Sequence, residues 1–551
     1  MQLLVLAAFF GLLLAARPST GAEPSWLLKL FFHLDPLILC STAVATWSIE
    51  PLAWLALITV GVTVLLGRVF CGWFCPLGTL HAIASRLTRG WRPRHEPQRW
   101  SRWQLAKYYV LAAMLVLALL GVPWLVLVDP IVILYRTTTT AIVPGAQWMI
   151  EDAAAGIYQA DPAIGDWKLT SLTEPPYRWL RDNVFVTTRQ SFLSSGLILA
   201  FLLLILALNV LRPRFWCRYV CPLGGLLGLL AWRPWLRRET NAEACNQCDL
   251  CGLRCPAAAT TAPGAGWKPQ ECLGCLSCTE SCTAAGLKFR FRPPWQPSPA
   301  IDGHAGVESI DLRRRELLSA AAAGVVGAIV LRTTPQARGK TFHPDLIRPP
   351  GARAEADFLE RCTACGLCMK ICPTGGLQPA LHQAGLAGLW TPRLVPAIGY
   401  CDYECARCGQ VCPTGAIAPT PLAKKQSLRI GLAMFDTSRC LPYALGRNCM
   451  VCEEHCPVPR KAIYFREVEL PVEDGEEPRK VLEPHIDPER CIGCGICENV
   501  CPFKDRPAIR VTSAGESRHP KNQPILPGDT PRPRGRRRRG RGRRQGEDDA
   551  P

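Results

Sequence analysis

Twenty-four of the chain's 29 cysteines fall into six groups of four, and no other feature restricts its folding as severely. Cys245, Cys248, Cys251 and Cys255 follow C-x2-C-x2-C-x3-C-P. So do Cys362, Cys365, Cys368 and Cys372, and Cys491, Cys494, Cys497 and Cys501. Cys272, Cys275, Cys278 and Cys282 keep the spacing, with Thr283 in place of proline. Two groups are stretched: Cys401, Cys405, Cys408, Cys412 and Cys440, Cys449, Cys452, Cys456. Three thiolates two residues apart wrap a loop around one iron–sulfur cubane, and the fourth reaches the other cluster of a pair. Zinc ribbons use two separated cysteine pairs, and disulfide frameworks do not repeat this spacing. Six 4Fe–4S clusters in two α+β ferredoxin-like regions are therefore expected. The two-cluster rule predicts Cys245, Cys248 and Cys251 with Cys282, and Cys272, Cys275 and Cys278 with Cys255. Among the later four groups, symmetry suggests that the regular outer two pair and the stretched inner two pair.

The chain has 551 residues, too many for one domain. Its apolar content of 48% excludes disorder throughout, and its length excludes a small disulfide scaffold. Four apolar stretches, near 2–16, 51–70, 107–128 and 192–211, approach the about 20 residues needed to cross a bilayer. The first also reads as a signal-peptide core without a basic start. Trp26–Ala45, interrupted by Lys29, His33, Asp35 and Pro36, reads as an interfacial or re-entrant piece. The formal charge of +18 is concentrated in places: residues 86–107 and 212–238 are basic, whereas 151–174 carries Glu151, Asp152, Asp161, Asp166 and Glu174. By the positive-inside rule the basic loops face the cytoplasm. They anchor membrane ends, and nucleic acid is not an expected partner. A further nine arginines lie between Arg532 and Arg544, in a tail read as disordered and solvated.

An internal repeat runs through the apolar half. Asp35-Pro36 precedes a span and then Phe70-Cys71-Gly72-Trp73-Phe74-Cys75-Pro76-Leu77-Gly78; Asp129-Pro130 precedes an insert, a span and Trp216-Cys217-Arg218-Tyr219-Val220-Cys221-Pro222-Leu223-Gly224. Such repeats imply a pseudo-symmetric bundle with paired sites. A spacing of four puts two sulfurs on one helical face, so the two pairs could meet in one four-sulfur site. The alternative is a set of reduced structural thiols, or a dithiol that merely oxidises. Cys40 has no partner and reads as a buried apolar residue; His81 reads as an interfacial surface residue.

Between the cysteine regions, Arg313-Arg314-Arg315-Glu316-Leu317-Leu318 precedes an uncharged run from Ser319 to Leu331. A twin arginine ahead of a moderately apolar segment reads as a Tat export signal, retained as a fifth anchor or cleaved; the alternative is an amphipathic linker. The expected organisation is thus multi-domain. An α-helical transmembrane bundle (1–240, four spans) is followed by a two-cluster ferredoxin region on the cytoplasmic side (241–300). A twin-arginine segment (301–335), a four-cluster region on the periplasmic side (336–515) and an Arg-rich tail (516–551) complete it.

At this point the residues resemble a known family. The spans with FCGWFCPLG and WCRYVCPLG, followed by two ferredoxin motifs, resemble NapH, the membrane quinol-oxidising partner of periplasmic nitrate reductase. The twin-arginine segment and four cluster motifs resemble NapG, its exported ferredoxin partner. The chain is similar to a fusion of the two from about 25 to 511, with NosR-type proteins and the copper-reducing oxidase-assembly ferredoxins as relatives. The resemblance implies an inner-membrane component, not a stand-alone catalyst, that oxidises quinol from the quinone pool. Electrons would leave through the clusters to a periplasmic reductase or small electron carrier. A quinol site needs an apolar slot and a proton acceptor, for which Asp35 and Asp129 are the candidates, with His33 beside the first; the alternative is that each aspartate simply caps a helix. The insert at 136–190 and the tail depart from the pattern and leave the acceptor open. A maturation factor that reduces a metal or disulfide, with the C-x3-C pairs as working thiols, is the competing function. A membrane anchor whose clusters merely dock a partner is a third reading.

Overall fold

The computed structural model describes residues 1–16, 25–91, 98–160, 163–164, 167–185, 189–241, 243–261, 266–296, 312–333, 342–470 and 479–523. The arginine run of the tail lies outside them. Apolar sequence makes helices where expected, but they are short. The four stretches form Gln2–Ala15, Pro51–Leu66, Ala106–Leu119 and Ser195–Val210. Among the described residues no single helix is long and apolar enough to cross a membrane. The breaks have local causes. Gly67 and Gly121 take φ of +80° and +77°, which glycine adopts without strain, and Pro123 cannot continue the helix before it. Trp26–His33 and Pro36–Thr46 form a pair bent by 86°, long and apolar enough together for a broken span or re-entrant loop.

The repeat is built from four helix starts. Asp35 Oδ1 accepts from the Leu37 amide at 2.8 Å, and Asp129 Oδ1 accepts from Ile131 and Val132 at 2.8 and 3.0 Å. Cys75 and Cys221 cap the next helices, their sulfurs accepting from the Gly78 and Gly224 amides at 3.4 and 3.3 Å. In all four, proline follows at the first helical position, where its missing N–H costs nothing. The halves interlock: Pro76–Leu87 packs on Pro130–Thr137, and Pro222–Leu230 packs on Pro36–Thr46. Their contact is the main apolar core, around Leu37, Leu77, Ile131, Leu134 and Leu223.

Arg314–Arg332 lies parallel against Ala106–Leu119. Its small residues permit the close approach: a Cβ on Gly324 would stand 2.5 Å from the Ala113 carbonyl oxygen. From the insert, Val143–Ala160 and Leu169–Asn183 form two further helices.

The cysteine regions are closed by short antiparallel pairings. Leu236–Thr240 pairs with Leu287–Phe291 around the first eight cysteines, and Leu432–Phe435 pairs with Ile509–Thr512 around the last eight. A bridge between Ala352 and Ile417 closes the middle eight. These modules sit at opposite ends of the bundle. At one end Trp73 Nε1 donates to the Gly274 carbonyl at 3.0 Å and Gln104 Nε2 to the Ala257 carbonyl at 3.0 Å. At the other, Lys29 Nζ donates to the Gln410 carbonyl at 3.0 Å, Arg361 Nη2 to Ser48 Oγ at 3.0 Å and Gln190 Nε2 to the Cys372 carbonyl at 2.9 Å.

Candidate iron–sulfur sites and the sulfur cluster in the bundle

Among the described residues, no three His, Cys, Asp or Glu side chains close tightly around a single metal ion. The sulfurs instead stand around gaps. One cavity of about 420 Å³ is walled by Cys372, Cys401, Cys405 and Cys408, with Pro349, Leu377 and Ile430 among its apolar lining. Another, of about 370 Å³, is walled by Cys440, Cys449, Cys452 and Cys501, with Phe435 and Phe503. Four thiols and an apolar wall fit a 4Fe–4S centre, whose ligands are four cysteines in low-dielectric surroundings.

These cavities overturn the nested pairing expected for the later groups. Cys362, Cys365 and Cys368 lie within electrostatic reach of Cys412, while Cys405 and Cys408 lie near Cys372. Cys491, Cys494 and Cys497 gather with Cys456. Adjacent groups therefore exchange their fourth cysteines, as in the first region, where Cys255 joins Cys272 and Cys278. The cause is the backbone pairing: the Ala352–Ile417 bridge and the 432–435/509–512 ladder bring neighbouring groups together, and the stretched spacing is absorbed in loops. The modules also touch, since the Cys401 amide donates to the Cys494 carbonyl at 2.8 Å. Burial pushes the Cys362, Cys452 and Cys494 thiols up to about 12 and Cys365, Cys401 and Cys440 up to about 11. An apolar site penalises an unpaired thiolate, so occupation by metal must displace the protons.

Cys71, Cys75, Cys217 and Cys221 do converge, within electrostatic reach of one another. They do not share helical faces as expected. Cys71 lies in the π-helical turn Phe70–Phe74, and Cys75, extended at φ −75° and ψ 115°, starts the next helix. A following proline disfavours the helical region for its predecessor, so each pair straddles a break. Buried cations surround the four: Arg68 Nη2 is 4.0 Å from Cys71 Sγ, Arg214 Nη1 donates to the Cys71 carbonyl at 3.4 Å, and Lys107 lies near Cys221.

The sequence reading missed Glu271, the residue before Cys272. It is 2% exposed, pairs with Lys107, accepts from Tyr108 Oη at 3.1 Å and lies 3.5 Å from Arg68 Nη1. The signal was present as Lys107 at the start of an apolar run. At the other end Tyr135 and Arg136 lie near Cys365, and the Arg136 guanidinium covers the Trp390 ring at 4.3 Å. His81, expected at the surface, is buried and bonded through Nδ1 to Asn209 at 2.8 Å; the polar partner inside the bundle explains the difference. Cys40 is half-buried. Asp35 and Asp129 are both fully buried and brought together, their carboxyl groups within hydrogen-bonding reach of each other.

A family model described as a 4Fe-4S binding domain matches residues 49–95 and again 195–242, the two C-x3-C-P segments. A 4Fe-4S dicluster domain matches 446–504, and a 4Fe-4S binding domain matches 358–378. With the cysteine-walled cavities, these make the chain an iron–sulfur electron-transfer protein with ferredoxin-type domains. Among known relatives, the methylamine utilization ferredoxin-type protein MauM of Paracoccus denitrificans is 37% identical over 169 residues, 30% of this chain and 70% of that one. MauM of Methylorubrum extorquens is 33% identical over 225 residues, 38% of this chain and 96% of its own. The ferredoxin-type protein NapG of Escherichia coli K12 is 36% identical over 169 residues, 30% of this chain and 69% of that one. The chain belongs to this family of MauM- and NapG-type ferredoxin proteins. No solved structure matches it.

Proposed function

We propose that this protein takes electrons from a membrane quinol and passes them through iron–sulfur centres to a periplasmic reductase or small electron carrier, with a nitrate reductase as one candidate. The observation that carries this reading is the placement of cysteine quartets at both ends of one helical bundle, in contact with it. A 4Fe–4S centre, once bound, supplies one-electron transfer. The chain supplies the positions. Cys365 packs in the bundle core. The neighbouring quartet reaches the bundle through Cys372, and Cys401 of that quartet bonds through its amide to the module of Cys494. The NapH-like half, the Tat segment and the inner-membrane location belong to this proposal: the helices are read as the membrane part, the first module as cytoplasmic and the second as periplasmic.

The four bundle cysteines are read as a further thiolate-bound centre beyond the expected six. Two amide N–H groups at helix starts and three buried cations would offset the charge of thiolates once a metal has displaced their protons. The same convergence of thiols favours a second reading, a maturation factor that reduces a metal or disulfide with these cysteines. Anaerobically purified protein in liposomes separates the two. Added decylubiquinol should bleach the visible absorption of the clusters rapidly, and unchanged spectra would sink the quinol reading. If Cys71→Ser and Cys217→Ser abolish reduction of an added disulfide or cupric ion but spare cluster bleaching, the maturation reading gains.

A further inference from the structure

Asp35 and Asp129 are enclosed on all sides and spend one oxygen each on helix capping, which leaves no approach for a lipid-soluble ring. A different place has the form such a ring requires. Where Ala106–Leu119 and Arg314–Arg332 end together, a cleft of about 1460 Å³, partly open to solvent, lies between them and Glu355–Arg361. Its walls are apolar, including Leu119, Leu120, Val325 and Ile329, all with exposed faces. Among the described residues its charged lining groups are Arg332 and Glu360, which face each other with Nη2 3.4 Å from Oε1. A guanidinium has five N–H donors and a carboxylate two acceptor oxygens, so the contact between them does not exhaust either group. Gly121 makes the room: at φ +77° a Cβ there would stand 2.0 Å from Arg332 Nη2 and 2.7 Å from Glu360 Oε1. Glu360 is two residues before the cluster cysteine Cys362.

We propose that this cleft binds the head of a quinol or quinone, its ring and tail against the apolar helix faces and one ring oxygen at the Arg332–Glu360 pair. Ligand sites of this class combine apolar walls with a few convergent polar groups. A single quinol hydroxyl uses both members of the pair, donating to the Glu360 carboxylate and accepting from Arg332, while a quinone carbonyl accepts from Arg332. The other large cleft, at the opposite end of the bundle, is lined by Arg86, Arg214, Arg254 and Glu280 and suits a water-soluble molecule instead. The proposal rests on the quinol-donor reading and assigns it a place.

Photolabelling of the reconstituted full-length protein with an azidoquinone, mapped by mass spectrometry and competed with decylubiquinone, tests it. Label is expected on peptides holding Leu119–Gly121 or Val325–Arg332. Val325→Trp and Ile329→Trp fill the cleft from exposed positions, so folding is preserved, and should weaken competition about tenfold. Leu318→Trp, exposed on the same helix but outside the cleft, should leave labelling unchanged. Competed label elsewhere, or label indifferent to both cleft tryptophans, overturns the site while the donor reading stands if decylubiquinol still bleaches the clusters. No specific label together with no bleaching overturns both.

Discussion

At the scale of single residues, the charges inside the second cysteine region have the clearest consequences. Arg348 is fully buried and grips Glu355 with Nη2 at 2.5 Å and Nε at 3.2 Å, while Arg518 Nη1 reaches the same carboxylate at 2.7 Å. Burial alone would raise the Glu355 carboxyl, but the two guanidiniums outweigh it and hold it down to about 2. Because the folded state holds this acid more ionised than the unfolded chain, its contribution to stability is complete above the ordinary value of 4.5. That contribution fades as pH falls through about 2. Glu355→Ala, which leaves Arg348 buried without a counter-charge, should cost about 3–5 kcal/mol in denaturant unfolding of the loaded protein, and its loss of stability between pH 4.5 and 2 should be shallower than that of the parent. Such a triad was not legible in the sequence. Arg348 and Glu355 are seven residues apart, but Arg518 lies 163 residues beyond Glu355 and no motif links the three, whereas the cysteines announce themselves by spacing because one loop must wrap one cubane.

At the scale of elements, the Asp-Pro steps were legible as helix starts, and both are; the Cys-Pro steps start helices as well, although the four-residue spacing suggested one continuous helical face. Helix length was not legible: the apolar runs were read as spans of about 20 residues, and Gly67 and Gly121 end two of those helices early. Periodicity does not distinguish a glycine that continues a helix from one that takes positive φ; the neighbours that enforce it are distant in sequence. The capping role gives a direct expectation for Asp129. Asp129→Ala should destabilise by about 1–2 kcal/mol, whereas Asp129→Asn, which retains an oxygen for the Ile131 and Val132 amides, should lie within a few tenths of the parent. Thermal unfolding followed by circular dichroism in detergent measures both. An asparagine as damaging as the alanine would show that Asp129 does more than cap.

For the whole molecule, the decisive feature is that Ala106–Leu119 meets Glu271 at its start and Glu360 near its end, placing the two cysteine regions on either side of the bundle. Protease added outside spheroplasts should reach residues 362–501 and leave 245–282 intact; protection of both would refute the proposed crossing. The order of the quartets carries a further consequence, for synthesis. Had the outer groups paired across the inner ones, the Cys362 group would wait for Cys501, and its centres would lack a full ligand set until the end of the region emerged from the ribosome. With neighbours exchanging ligands, the Cys362–Cys412 module is chemically complete while the following eight cysteines are still being made. Cluster loading can then proceed in chain order, module by module, which shortens the time that any group spends with an incomplete ligand set.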